Sequence, residues 1–145
     1  MTRAYKDDIE PGDLSVADTG PEVVVEDLDR QDFVRYAGAS GDFNPVHYDE
    51  PYAEAAGYPG VFGQGMLTAG FAAHATADWF GLSNIERLRT RFRSKVWPGD
   101  TITVTTQVTE VTTIKDGDRV EASIQVRNQN DELVLTGSVN ATITE

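Results

Sequence analysis

The chain has no cysteine, and among its 145 residues it has only two histidines, two tryptophans, two methionines and three lysines. Without cysteine there is no disulfide, no thiolate nucleophile and no cysteine-ligated metal. No apolar run approaches the roughly 20 residues that a membrane-spanning helix needs. The first eight residues, Met1 to Asp8, lack the apolar core of a signal peptide, so a cytoplasmic location is expected and no membrane partner. Positive charge is also scarce. Twelve cations face 24 acids, a formal charge of −12, which would repel a phosphate backbone and argues against a nucleic-acid partner.

What is present fits one soluble domain spanning 1–145. The chain is 39% apolar and long enough to bury roughly two-thirds of its unfolded surface. Glu22 to Glu26 reads as a short strand. Asp29 is placed to cap a helix, with Leu28 and Phe33 at the two positions of a hydrophobic staple. That helix should end between Gly38 and Gly41, and a shorter one is expected over Pro51 to Ala56. From Gly65 to Phe80 lies the longest helical candidate, with Asp78 its only carboxylate. A helix so apolar and small-residued is expected to be buried.

Beyond Gly81 the period changes to two. Leu88, Thr90, Phe92, Ser94 and Val96 alternate with Arg87, Arg89, Arg91, Arg93 and Lys95. Ile102, Val104, Thr106 and Val108 form the next inward set, then Val120, Ala122, Ile124 and Val126, then alternate residues from Leu133 to Ile143. Asp116-Gly117-Asp118 and Asn128 to Asp131 read as the turns between them. Four strands with one dry face need a cover. The helix over 65–80 supplies it, giving an α+β fold in which a curved antiparallel sheet wraps one long helix, the hot-dog arrangement.

The chemistry concentrates in Ser40-Gly41-Asp42-Phe43-Asn44-Pro45-Val46-His47 and, downstream, Phe62-Gly63-Gln64-Gly65-Met66. Asp42 and His47 put an acid and a base on one short turn, stiffened by Asn44-Pro45. Gly65 opens a helix whose free N–H groups suit a carbonyl oxygen gaining charge. Those parts suffice to add water across a polarised double bond, or to remove it. Asp42 and Asn44 can equally bond backbone amides as plain Asx turns, and Asn44 is expected to hold the turn.

From Tyr36 to Asp49, Tyr-Ala-Gly-Ala-Ser-Gly-Asp-Phe-Asn-Pro-Val-His-Tyr-Asp resembles the signature of the MaoC-like, (R)-specific enoyl-CoA hydratases. Gly65-Met66-Leu67 belongs to the same pattern, and Arg91-Phe92 and Pro98-Gly99-Asp100 agree in layout. The resemblance implies Asp42 and His47 as the catalytic pair and the Gly65 amide as oxyanion donor. It further implies (R)-3-hydroxyacyl or trans-2-enoyl thioesters of coenzyme A or acyl carrier protein as substrates, no further cofactor, and a homodimer. Gln64 departs from it, standing where many relatives carry histidine.

Two other classes compete. A hot-dog thioesterase needs a carboxylate at the start of the central helix, and none lies there. An accessory subunit shaping the acyl channel of a partner hydratase would be suggested by loss of Asp42 or His47, and both are present. The arginine stripe reads either as a solvated face balancing acids such as Glu121 or as a landing surface for carrier phosphates, with Arg91 and Arg93 the candidate contacts. Gly65, Ala69, Ala73 and Thr76 share a helix side that serves either close packing or an acyl channel. His74 reads as structural, and Asp49 and Glu50 beside His47 make too weak a ligand set for a metal.

Overall fold

The computed structural model describes residues 9–145, so the N-terminal stretch read above for a signal peptide lies outside the described residues. Strand β1 (Val23–Leu28) leads into helix α1 (Arg30–Ser40), where Asp29 accepts from the Gln31 and Asp32 amides and Asp32 accepts from the Asp29 amide in return. This capping box satisfies donors that the first turn would otherwise leave open. Leu28 and Phe33, on either side of it, are both buried. A one-turn 3-10 helix (Pro45–His47), α2 (Glu50–Ala55) and α3 (Gly65–Phe80) follow. The chain then forms β2 (Ile85–Phe92), β3 (Asp100–Ile114), β4 (Gly117–Arg127) and β5 (Leu133–Thr144).

All five strands pair antiparallel in the order β1-β3-β4-β5-β2. The inward residues expected for β3 and β4 are buried, as are Leu135, Val139, Ala141 and Ile143 on β5. Ala69, Ala72, Ala75 and Phe80 of α3 pack into the same core. Their small side chains let the helix lie close against the sheet.

The sequence reading needs correction in four places. First, the alternation from 87 to 96 is not one strand. Pairing of β2 with β5 stops at Phe92, and the Arg93 and Ser94 amides both donate to the Val134 carbonyl. Val134 is the extra residue of a bulge, because Val126 and Arg127 pair with Leu135 and Leu133 across it. The bulge ends the ladder, so the five-cation stripe divides: Arg87, Arg89 and Arg91 stay on the strand, and Arg93 and Lys95 leave it. Second, Val134 is itself buried, an inward residue that period-two reading passes over.

Third, the tip of the β3–β4 hairpin is Lys115-Asp116, since Ile114 pairs with Gly117 and Gly117 already begins β4. Asp118 is buried and accepts from the Gly12 amide at 2.8 Å. Fourth, α3 is not covered all round. Met66, Gly70 and His74, spaced by four, are exposed along one stripe, and His74 pairs with Asp78 at 3.2 Å.

Candidate active site

Helix α1 ends where Gly41 takes the left-handed conformation at φ 77° and returns its amide to the Ala37 carbonyl. The sharp exit places Asp42 just beyond the helix. The Ser40 hydroxyl accepts from the Asp42 amide at 3.2 Å, Asp42 Oδ1 accepts from the Asn44 amide at 3.2 Å, and Asn44 Oδ1 accepts from the Val46 amide at 3.3 Å. Three alternate side chains thus fix the turn in relay, and Asn44 holds it as expected. Pro45, first in the 3-10 turn, needs no amide partner there.

His47 ends that turn and is buried, whereas Asp42 is nearly half exposed. The His47 Nδ1 lies 2.7 Å from the Phe62 carbonyl oxygen. A carbonyl only accepts, so Nδ1 carries the proton, and in the neutral ring the lone pair sits on Nε2. Nε2 faces Asp42 Oδ2 at 3.8 Å, beyond direct hydrogen-bonding distance and suited to a polar group held between the two. The Phe62 ring stands edge-on to His47, Tyr58 and Trp97, which locks the imidazole orientation from the side. Sequence reasoning quoted Phe62 in the second stretch without giving it a role and passed over Trp97, which lies more than thirty residues further along the chain.

Gly65 opens α3 and, as its first residue, has no intrahelical acceptor for its amide. A side chain there would meet the Phe92 ring, about 2.9 Å from an added Cβ. Gln64 precedes it, buried, with Nε2 donating to the Phe33 carbonyl at 2.8 Å and Oε1 without a partner. A cavity of about 300 Å³ borders Gly65, Thr68, Phe92 and Val134, with Arg93 and Lys95 at its wall. Arg93 turns toward the outer face of the sheet, where its Nε donates to Thr136 Oγ1 at 3.0 Å. Arg91 is exposed on β2 opposite Thr136 and does not border the cavity. Nor do Ala69, Ala73 and Thr76: Ala69 and Thr76 are buried in packing and Ala73 is half-buried, while the open space lies along Gly65 and Thr68. Among the described residues no group of three or more histidine, aspartate or glutamate side chains could hold a metal ion, and no helix is long and apolar enough to cross a membrane.

A family model described as a MaoC like domain matches residues 15–130, which include α1, the Asp42–His47 turn and α3. The chain belongs to the MaoC-like family. It is 27% identical over 130 residues to the mouse peroxisomal multifunctional enzyme type 2, covering 88% of this chain and 17% of that one. It is 34% identical over 104 residues to the Arabidopsis thaliana peroxisomal enoyl-CoA hydratase 2, covering 70% and 31%. The chain therefore spans about a sixth to a third of these curated relatives. Among solved structures, R-hydratase PhaJ1 from Pseudomonas aeruginosa superposes with a TM-score of 0.77 at 26% identity, covering 93% and 86% of the two chains. The architecture is the MaoC-like hot-dog fold.

Proposed function

We propose that this MaoC-like domain hydrates trans-2-enoyl thioesters, and dehydrates (R)-3-hydroxyacyl thioesters in reverse, with no cofactor beyond the thioester carrier. The observation that carries the reading is the half-exposed Asp42 carboxylate facing the unprotonated nitrogen of buried His47 across 3.8 Å. A water bound between them is oriented by Oδ2 and Nε2. Its proton passes to the pair as its oxygen attacks the β-carbon, and the pair returns a proton to the α-carbon on the same face. The thioester oxygen, gaining enolate charge, lies against the open Gly65 amide at the positive end of α3.

The carrier, coenzyme A or acyl carrier protein, leaves toward the outer face of β2 and β5, where Arg91 and Arg93 receive its phosphates. The direction of the Arg93 side chain toward Thr136 supports that exit. The active form is a homodimer. Both β1 and β2 are sheet edges, the uncovered Met66-Gly70-His74 stripe of α3 is open in the single chain, and such edges and faces are ordinarily covered. Incubation with crotonyl-CoA tests the activity: loss of enoyl absorbance without thiol release is expected. Thiol release would instead establish a thioesterase, and neither change would refute both.

A further inference from the structure

The two cations at the cavity wall leave it in different directions. Arg93 reaches outward to Thr136. Lys95 turns toward the base: its Nζ lies 5.3 Å from the Tyr58 ring centre and 5.4 Å from that of Phe62, and the Phe62 centre is 5.2 Å from the imidazole. One aromatic ring separates the ammonium from His47. Two aromatic faces hold it in place by cation–π attraction, and it forms no ion pair among the described residues. Among the described residues no aspartate or glutamate borders the cavity, although the chain carries twice as many acids as cations. Thr68 lines the same space, and its side chain makes no hydrogen bond among the described residues.

Lys95 is exposed at the mouth of the cavity, but held over two rings, without an ion pair and beside a wall that carries no carboxylate among the described residues, it makes this opening favourable to an anionic oxygen ligand. The carrier phosphates are poorly placed to be that ligand. A pantetheine arm separates them from the thioester by about the length of four extended residues, roughly 14 Å, whereas Lys95 sits one ring away from the reacting centre. The cavity, about 300 Å³, is at the low end of ligand-sized sites, room for a short acyl group and not a long one.

We propose that the substrate's acyl group enters this cavity and that Lys95, with Thr68, binds a carboxylate at its far end, making short dicarboxylic acyl thioesters the preferred substrates. This rests on the hydratase reading above. The binding test uses saturated analogues and needs no turnover: adipyl-CoA and hexanoyl-CoA are titrated by calorimetry against the wild type, Lys95→Met and Lys95→Arg. Methionine keeps the contact with the rings without the charge. Expected is about three- to fivefold tighter binding of adipyl-CoA by the wild type, the upper scale of an exposed ion pair, lost in Lys95→Met and regained in Lys95→Arg.

Kinetics with trans-2-hexenedioyl-CoA and trans-2-hexenoyl-CoA should show the same shift in the ratio of kcat/KM. Equal affinity for the two analogues, or an equal loss for both in Lys95→Met, would overturn the proposal and assign Lys95 to the carrier or to the fold. Turnover of both enoyl thioesters without preference refutes the Lys95 site and leaves the hydratase reading standing. Selective binding of adipyl-CoA without turnover of either does the reverse.

Discussion

Gly65 can lose its amide hydrogen without losing its helix. It is the first residue of α3, the one interior-side position where proline is favoured, because the missing N–H has no intrahelical partner to lose. The preceding residue must be extended, and Gln64 already is, at φ −64° and ψ 135°. The added Cβ itself would meet the Phe92 ring at 2.9 Å. That ring is 54% exposed, so it can swing toward solvent. Gly65→Ala introduces the same Cβ and keeps the N–H. The ratio of the two variants therefore reads the loss of the donor together with the proline Cδ that takes its place.

If the Gly65 amide stabilises the enolate oxygen, Gly65→Pro should turn over crotonyl-CoA about 10²–10³ times more slowly than Gly65→Ala, the usual effect of losing one oxyanion donor. Gly65→Ala itself should keep at least about a tenth of wild-type kcat, with KM bearing most of the change as Phe92 moves. Enoyl absorbance at saturating substrate gives the rates, and melting temperatures confirm that both variants are folded. Rates within about threefold of each other in folded Gly65→Pro and Gly65→Ala would refute the assignment, and the oxyanion would have to be met by another donor.

Asp42→Asn and His47→Ala should each lower turnover at least about a hundredfold, the scale of a positioned acid or base, with circular dichroism unchanged; near-normal rates in either would remove the pair from the mechanism. Gln64→Leu should alter stability by less than about 1 kcal/mol in thermal unfolding, because the Phe33 carbonyl keeps its helical partner and an unpaired buried oxygen is removed with the amide. Ala73→Leu, at a half-buried position outside the core, should change the melting temperature little and leave the chain-length profile as in the wild type, since the cavity does not border Ala73; a selective loss of medium-chain substrates would place the acyl channel on that side after all. Light scattering should report a dimer, and Met66→Lys on the open stripe of α3 should shift it toward monomer; a fully active wild-type monomer would contradict that arrangement.

The parts of the fold that could be read in the sequence are those whose signal is local. Asp29 two residues before the Gln31 amide, the glycines closing α1, and the strict alternation from Ile102 to Val108 each state their structure within a few positions. β2 could be read only as far as its alternation is also a ladder. Nothing in Arg93-Ser94-Lys95 announces that pairing has ended, because the cause is a bulge at Val134, about forty residues on and on another strand. The open stripe of α3 was hidden for a related reason. Met66, Gly70 and His74 do not differ enough in polarity from the buried alanines to mark a face. In the site, Asp42, His47 and Gly65 were legible as side-chain types at suggestive spacing. The Phe62 carbonyl was not, because a backbone acceptor leaves no trace in residue identity.

The Asx-turn reading of Asp42 and its proposed catalytic role, alternatives in the sequence, are compatible because a carboxylate has two oxygens. Oδ1 accepts from the Asn44 amide and shapes the turn, while Oδ2 faces His47. The same division recurs at His47, whose Nδ1 is committed to the Phe62 carbonyl and whose Nε2 is left for chemistry. Each reactive atom is thus held by a hydrogen bond made through its own side chain. This explains how an acid and a base on irregular chain between two helices can be positioned as firmly as on a helix or strand. It also explains why residues that look like turn formers need not be excluded from the chemistry: the turn bond made by Oδ1 is what aims Oδ2 at His47.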